Sequence, residues 1–390
     1  MRVFISTGEV SGDLQGAMLI TALKNQAATL GLPLEIVALG GSQMAKAGAR
    51  VLGDTSGIGS MGIVEALPYI IPTIMVQRQA IAYLKKNPPD ITVLIDYMTP
   101  NMGIGSYMQQ HFPQVPIVYY IAPQEWVWSM SLDRTKKIVS FTHKLLAIFP
   151  QEARYYEENG ANVNWVGHPL VDKMANTPSR ESARKILGIK EQELAIALLP
   201  ASRHQELKYL LPAIFQAGKS IQSQLSKVKF FVPLSLERFR GKITAAIRDY
   251  GLEAKILSGN QREIFAAADL AITKSGTANL ELALANVPQV VVYSLNPFTA
   301  WLGRKILKGS IPFASPVNLV LMREIVPELL QEQATADNIT KAAMELLLNC
   351  DKREKTLLDY QEMRQCLGSV GVCDRAAKEI LAMGRVEKTQ

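Results

Sequence analysis

The chain has 390 residues, 48% of them hydrophobic and 20% charged. That length suggests about two domains, and the composition excludes a disordered tail protein. A formal charge of +7 favours anionic partners without choosing among phosphates, nucleotides, acidic lipid and nucleic acid.

The N-terminus, MRVFISTGEVSGD, reads as a buried strand entering a Gly turn, not as a signal peptide. Val3–Ser6 is the first strand and Leu14–Leu30 the helix after the turn. Further strands are expected at Glu35–Leu39, Ile91–Ile95, Ile117–Ile121, Lys144–Ile148 and Val163–Val166. All are rich in Val, Ile and Leu, as parallel strands covered on both faces should be. The polar stretch 174–184, with Pro178, reads as a linker or a connecting helix. A second series then opens: Leu194–Leu199, Lys229–Val232, Ala254–Leu257, Leu270–Thr273 and Gln289–Tyr293. A single helix is expected over Gln205–Leu225, and after Thr335 the pattern is helical to about Met383. The expectation is α/β, with two facing Rossmann-like doubly wound domains, 1–172 and 173–350, and a cleft between them. The tail helices, 351–385, are expected to pack back on the first domain. Cys350, Cys366 and Cys373 form neither a disulfide framework nor a zinc motif, which suits a reducing compartment. No run of about 18 apolar residues exists to span a membrane.

Ligands of open α/β sheets sit beyond the carboxyl ends of the strands, so the turns after strands are where chemistry is sought. The first turn, Gly8 to Asp13, brings Glu9 and Asp13 to a helix start. Carboxylates repel phosphate, so a sugar hydroxyl or amide is its expected guest. The structural reading is that Ser11 caps the helix and Asp13 favours its first turn. Asp96 ends the apolar run ITVLID, where desolvation would raise its pKa and suit a general base; the alternative is an Asp bonded to its own turn, which contains Asn101. Gln124 and Trp126 lie in a turn with two tryptophans, which either stack on sugar or acyl groups or pack on the core. His168 is an acid/base or hinge candidate. In the second half, Ser202 and Arg203 form a turn suited to diphosphate. Ser275-Gly276-Thr277 opens a helix whose N-terminus attracts anions, with Glu281 placed to accept ribose hydroxyls.

These segments together resemble the lipid-A-disaccharide synthase family, glycosyltransferase family 19. The resemblance rests on ISTGEVSGDLQGA, MGIVEAL, LIDYMTPN, APQEWVW, GHPLVD, LLPASRHQE, SGTANLELAL and PVNLVLMREIVPELLQE, in that order over roughly 1–380. It implies the GT-B architecture, a peripheral inner-membrane enzyme on the cytoplasmic face, and no metal or other cofactor. The implied reaction joins UDP-2,3-diacylglucosamine to 2,3-diacylglucosamine 1-phosphate (lipid X). It releases UDP and forms the β-1,6-linked disaccharide with inversion. The implied catalytic residue is Asp96; from their own turn, Glu9 and Asp13 are expected to lie near it and to share in catalysis. Nucleotide binding falls to Ser202, Arg203, Ser275, Gly276, Thr277, Glu281 and Asn318. Beside these, acceptor or acyl contacts are expected at Gly8, Ser11, Asn101, Gln124 and Trp126, in the turns after the first unit's strands. A homodimer is compatible with the family. Four positions depart from its pattern: Ala201 stands for Gly, Thr99-Pro100 for Asp-Phe, and Lys274 for a small residue.

The segment from Gly59 to Val76 is mostly apolar, and Pro68 and Pro72 are expected to break any spanning helix. It reads as a membrane-surface patch carrying Val64, Leu67, Ile70 and Ile74, or as a core helix with a dimer contact. Two alternatives to the synthase stay open. One is a UDP-N-acetylglucosamine epimerase or another GT-B transferase with a soluble substrate. The other is a non-catalytic nucleotide-sugar-binding protein. Nucleic-acid binding is not expected, because the basic residues are dispersed and no recognition motif appears.

Overall fold

A computed structural model describes residues 1–57, 63–128, 132–201, 204–234, 236–294 and 313–386. Seven strands build the first sheet: β1 (Arg2–Ser6), β2 (Glu35–Gly40), β3 (Arg50–Asp54), β4 (Ile91–Ile95), β5 (Ile117–Tyr120), β6 (Lys144–Ala147) and β7 (Val163–Trp165). All pair in parallel, in the order β3-β2-β1-β4-β5-β6-β7. Six build the second: β8 (Leu194–Leu199), β9 (Val228–Pro233), β10 (Ala254–Leu257), β11 (Leu270–Lys274), β12 (Gln289–Tyr293) and β13 (Glu328–Leu330). This sheet is also parallel, in the order β10-β9-β8-β11-β12-β13. Each order reverses once, between β1 and β4 and between β8 and β11. Those reversals are where doubly wound sheets bind ligands.

The chain divides into two compact units, Met1–Asp172 with Leu367–Gln390, and Lys173–Cys366. In the first, β4 and β5 are buried along their whole length. Phe4, Leu94, Tyr119 and Phe141 join one core, each fully buried aromatic or aliphatic side chain contributing roughly 1.5–3 kcal/mol. In the second, Ile196, Phe215, Phe230 and Ile272 fill one side of the sheet, while Ala197, Phe231, Phe265 and Leu282 fill the other.

The tail returns later than expected. Helix Cys350–Leu367 stays with the second unit, because Tyr360 is fully buried there and its hydroxyl donates to the Val287 carbonyl at 3.1 Å. Arg353 adds a bond to the Asp269 carbonyl at 2.9 Å. Only from Leu367 does the chain rejoin the first unit, where helix Val372–Val386 packs on helix Glu9–Thr29. The Asp172 carboxylate secures that return by accepting from the backbone N–H groups of Gly371, Val372 and Cys373.

Two further expectations are corrected. Helix Ile63–Lys86 runs on through Pro68 and Pro72. Proline's fixed φ is itself helical, so each one removes a single hydrogen bond, and the other turns of this 24-residue helix hold it. The stretch expected as one helix over 205–225 is two, His204–Tyr209 and Leu211–Gln224, with Pro212 in the first turn of the second. No helix among the described residues is long and apolar enough to cross a membrane.

Candidate active and nucleotide sites

The first site lies at the β1/β4 reversal of the first unit. Asp96 directly follows β4 and adopts φ +46°, and Tyr97 follows at +50°. Glu9, three residues past β1, has φ +61°, and Ile121, directly after β5, has φ +60°. Left-handed backbone is unusual for residues other than glycine, and most of all for a β-branched one. Its concentration at the ends of three neighbouring strands marks a functional edge. Solvent reaches the Asp96 side chain, yet protein atoms crowd round it. That crowding, helped by the Glu9 carboxylate and opposed by the Tyr97 N–H, lifts its pKa to about 6. The Tyr97 ring lies against Gly8, where a Cβ would overlap the ring. Burial pushes the Tyr97 phenol up as well, and Thr73 of helix Ile63–Lys86 draws it back. Tyr97 escaped sequence reasoning, since its side chain was unremarkable and its backbone was not visible there.

Several expected site residues serve the fold instead. Both Asp13 oxygens are engaged, accepting from the N–H groups of Gly41 (2.8 Å), Met44 (3.0 Å) and Gln43 (3.0 Å). It caps the short helix Ser42–Lys46 and is not placed as a base. Asn101 is fully buried: its amide donates to the carbonyls of Ser6, Ile95 and Asp96, and its oxygen accepts from the Ser6 hydroxyl at 2.7 Å. No face of it is left for an acceptor. Ser11 is not the helix cap either; the helix starts at Glu9 and Gly8 is its N-cap. Trp126 tilts against Phe149 at 5.9 Å, packing on the core, while Gln124 is exposed. His168 is buried, which pushes its pKa down to about 3, and its Nδ1 accepts from the Leu170 N–H at 3.1 Å. Burial there favours the neutral ring. The buried Glu152, by contrast, was overlooked. It accepts from the N–H groups of Ala122, Ile148 and Phe149, tying the ends of β5 and β6 together, and burial pushes it up to about 8.

The second site lies at the β8/β11 reversal of the second unit. Ser202 and Arg203, which follow β8, lie outside the described residues. After β11, Ser275 donates to the Ala314 carbonyl at 2.6 Å, and Gly276 has φ +156°. Thr277 is exposed at the first position of helix Thr277–Leu284. Asn279 steadies the turn by accepting from the Gly276 N–H at 2.7 Å. Glu281 is buried, with one oxygen 2.7 Å from Lys173 Nζ and the other 2.9 Å from Gln261 Nε2. Each carboxylate oxygen keeps a lone pair for a further donor. Sequence reasoning missed Lys173 and Gln261, which are far from Glu281 along the chain. Lys274 is 3.5 Å from Glu206 and donates to the Ser275 carbonyl. Asn318 is fully buried and bonded within the fold: it accepts from Ile325 and Val326 and donates to the Val326 carbonyl and Glu328. It fixes the segment that meets Ser275 at Ala314, since Glu328 also accepts from the Ala314 and Ser315 N–H groups.

Of the membrane patch, Ile70 and Ile74 are exposed, with Ile71 at 69% and Met75 at 64% beside them. The side chains of Val64 and Leu67 lie outside the described residues. Among the described residues no group of three or more His, Cys, Asp or Glu is placed to hold a metal ion.

Two Rossmann-like units, one with an acidic strand edge and one with a hydroxyl- and glycine-bearing turn, define a protein of the GT-B class. The fold is shared with the S. aureus MnaA–UDP co-structure, 14% identical with TM-score 0.64 over 97% of this chain and 95% of that one. It is shared too with the glycotransferase of kitacinnamycin, 13% identical with TM-score 0.60 over 98% of each chain. The family model of lipid-A-disaccharide synthetases matches residues 3–382. A lipid-A-disaccharide synthase of Gloeothece citriformis is 59% identical over 98% of this chain and 99% of its own. One of Synechocystis sp. is 53% identical over 98% and 97%. The chain belongs to the lipid-A-disaccharide synthetase family, and it is a glycosyltransferase. The epimerase and non-catalytic alternatives are not favoured.

Proposed function

We propose that the protein transfers 2,3-diacylglucosamine from its UDP ester to O6 of 2,3-diacylglucosamine 1-phosphate, giving the β-1,6 disaccharide 1-phosphate and UDP. Asp96 takes the proton from the acceptor's 6-hydroxyl. As that proton leaves, O6 bonds to the anomeric carbon from the face opposite UDP, and the bond from that carbon to the phosphate oxygen breaks. UDP departs as an anion, received by the helix start at Ser275–Thr277 and by Arg203, while Glu281 accepts from the ribose hydroxyls. The observation that carries this reading is Asp96: a solvent-reached carboxyl with a pKa of about 6, beside Glu9 at the strand reversal. A base with that pKa is mostly ionised at neutral pH and still holds a proton well enough to take one.

The acceptor and donor are lipids, and the exposed Ile70, Ile71, Ile74 and Met75 support a protein that lies on a membrane surface, on the cytoplasmic face of the inner membrane. The deciding experiment incubates the purified protein with both lipid substrates in mixed micelles and follows UDP release and disaccharide formation. Disaccharide from wild type and none from Asp96→Asn supports the reading. Epimerised sugar from UDP-N-acetylglucosamine alone, with no disaccharide, overturns it.

A further inference from the structure

The Asp96 backbone is held from three sides. Its carbonyl accepts from Asn101 Nδ2 at 2.8 Å and from the Tyr119 hydroxyl at 3.0 Å. Its N–H donates to the Ile121 carbonyl at 2.9 Å. Asn101 and Tyr119 are both fully buried, so these bonds form away from competing water. Ile121 adopts φ +60°, a conformation a β-branched residue avoids, and it is the residue whose carbonyl meets the Asp96 N–H. Asp96 and Tyr97 are themselves left-handed, at φ +46° and +50°. Two consecutive strained residues persist only where their surroundings over-determine them. An ordinary strand-to-helix turn has no need of this arrangement. The turn after β11 achieves its own unusual φ with a glycine, Gly276.

We propose that Asn101, Tyr119 and Ile121 are positioning residues, which hold the backbone at Asp96 left-handed so that its carboxylate stays fixed beside Glu9 in the geometry proton transfer needs. This rests on the reading of Asp96 as the base. None of the three touches the reacting atoms. Asn101 also binds Ser6 and Ile95, so the clamp ties the end of β1 to the end of β4. Glu9 and Asp96 flank that junction, and its rigidity sets how close the two carboxylates lie.

The test is Tyr119→Phe, which removes one hydroxyl and keeps the ring, with Asn101→Ser as a second variant. Loss of one neutral hydrogen bond to the Asp96 carbonyl should lower kcat roughly 5–10-fold. The KM for the UDP-linked donor should stay within about twofold, because the second unit is untouched. The acid limb of the kcat/KM profile should move below its wild-type position, since a released Asp96 turns further into water and away from Glu9. A Tyr119→Phe enzyme with wild-type kcat and wild-type acid limb overturns the proposal. So does a fall in kcat that tracks a lowered melting temperature while the acid limb stays in place, for that is a fold effect. Should Asn101→Ser fail to fold, Tyr119→Phe still decides. Asp96→Asn is the control: if it keeps its kcat, the base reading fails and this role with it. If it is inactive while Tyr119→Phe is unaffected, the positioning alone fails.

Discussion

The two units share one design and differ in how they finish their strands. Each is a parallel sheet with one reversal of strand order, and each places its chemistry at that reversal. The first unit ends β1, β4 and β5 in left-handed non-glycine residues and carries Glu9 and Asp96 there. The second ends β11 in Ser275-Gly276-Thr277, with a hydroxyl, a glycine and a helix N-terminus, and Lys274 close by. The acidic, strained edge suits neutral hydroxyls that must lose a proton. The edge that opens a helix suits an anion that must be received. The scaffold therefore does not decide the ligand; the few residues just past each strand do.

The sharpest break in this comparison is Asp96→Asn. We expect kcat to fall at least ~100-fold, as loss of a positioned base does, with UDP affinity near wild type. Stopped or continuous UDP-release assays and calorimetry with UDP read the two halves separately. Weakened UDP binding in this variant would mean that the units do not divide the labour as described. The mirror-image change is Glu281→Ala, expected to weaken UDP by ~1.5–3 kcal/mol through lost bonds to a charged acceptor. Lys173 and Gln261 hold that carboxylate, so Gln261→Ala should weaken UDP by less, about 0.5–1.5 kcal/mol. Calorimetry showing unchanged affinity in both would remove the ribose assignment.

A smaller effect is expected on helix Ile63–Lys86. Ile71→Ser with Met75→Ser should reduce sedimentation with anionic liposomes several-fold and leave the melting temperature unchanged, because both side chains are exposed. A large drop in melting temperature would show that the face is covered within the fold.

How much of this was legible in the sequence depends on what kind of signal each feature leaves. The fully buried β4 and β8, buried at all but its two ends, stood out as apolar runs. Two of the edge strands, β3 and β13, did not: neither has a fully buried residue, and β13 is only three residues long, so they carry little pattern. Asp96 was visible because a charge ending an apolar run is conspicuous. The left-handed backbone at Asp96, Tyr97 and Ile121 was not, since φ leaves no trace in side-chain pattern unless a glycine supplies it. Asn101, Asn318 and Asp13 could not be placed from sequence for a common reason. A polar residue in a functional turn looks the same whether its partner is a substrate or a neighbouring backbone, and in each of the three the backbone takes it.

The smallest expected effect concerns stability, and it too separates the two edges. The pKa of Asp96 in the folded protein, about 6, lies above its ordinary 3.8. The folded state therefore binds a proton there more tightly than the unfolded chain does. The stability this group contributes is complete below about 3.8 and is lost as pH rises through about 6. At neutral pH the ionised Asp96, crowded and facing Glu9, opposes folding slightly; because water reaches it, the opposition is modest. Asp96→Asn removes that charge and leaves the backbone bonds to Asn101, Tyr119 and Ile121 in place. The variant should accordingly melt slightly higher than wild type at pH 7.5, with the difference shrinking as pH falls through 6 and gone near pH 4. Glu281→Gln should behave oppositely, melting lower at pH 7.5, since its carboxylate is paired with Lys173 at 2.7 Å. Calorimetric melts at the two pH values test both. An Asp96→Asn protein that melts lower than wild type at pH 7.5 would mean that its carboxylate stabilises the fold, and that the strained edge of the first unit is a structural device, not a catalytic one.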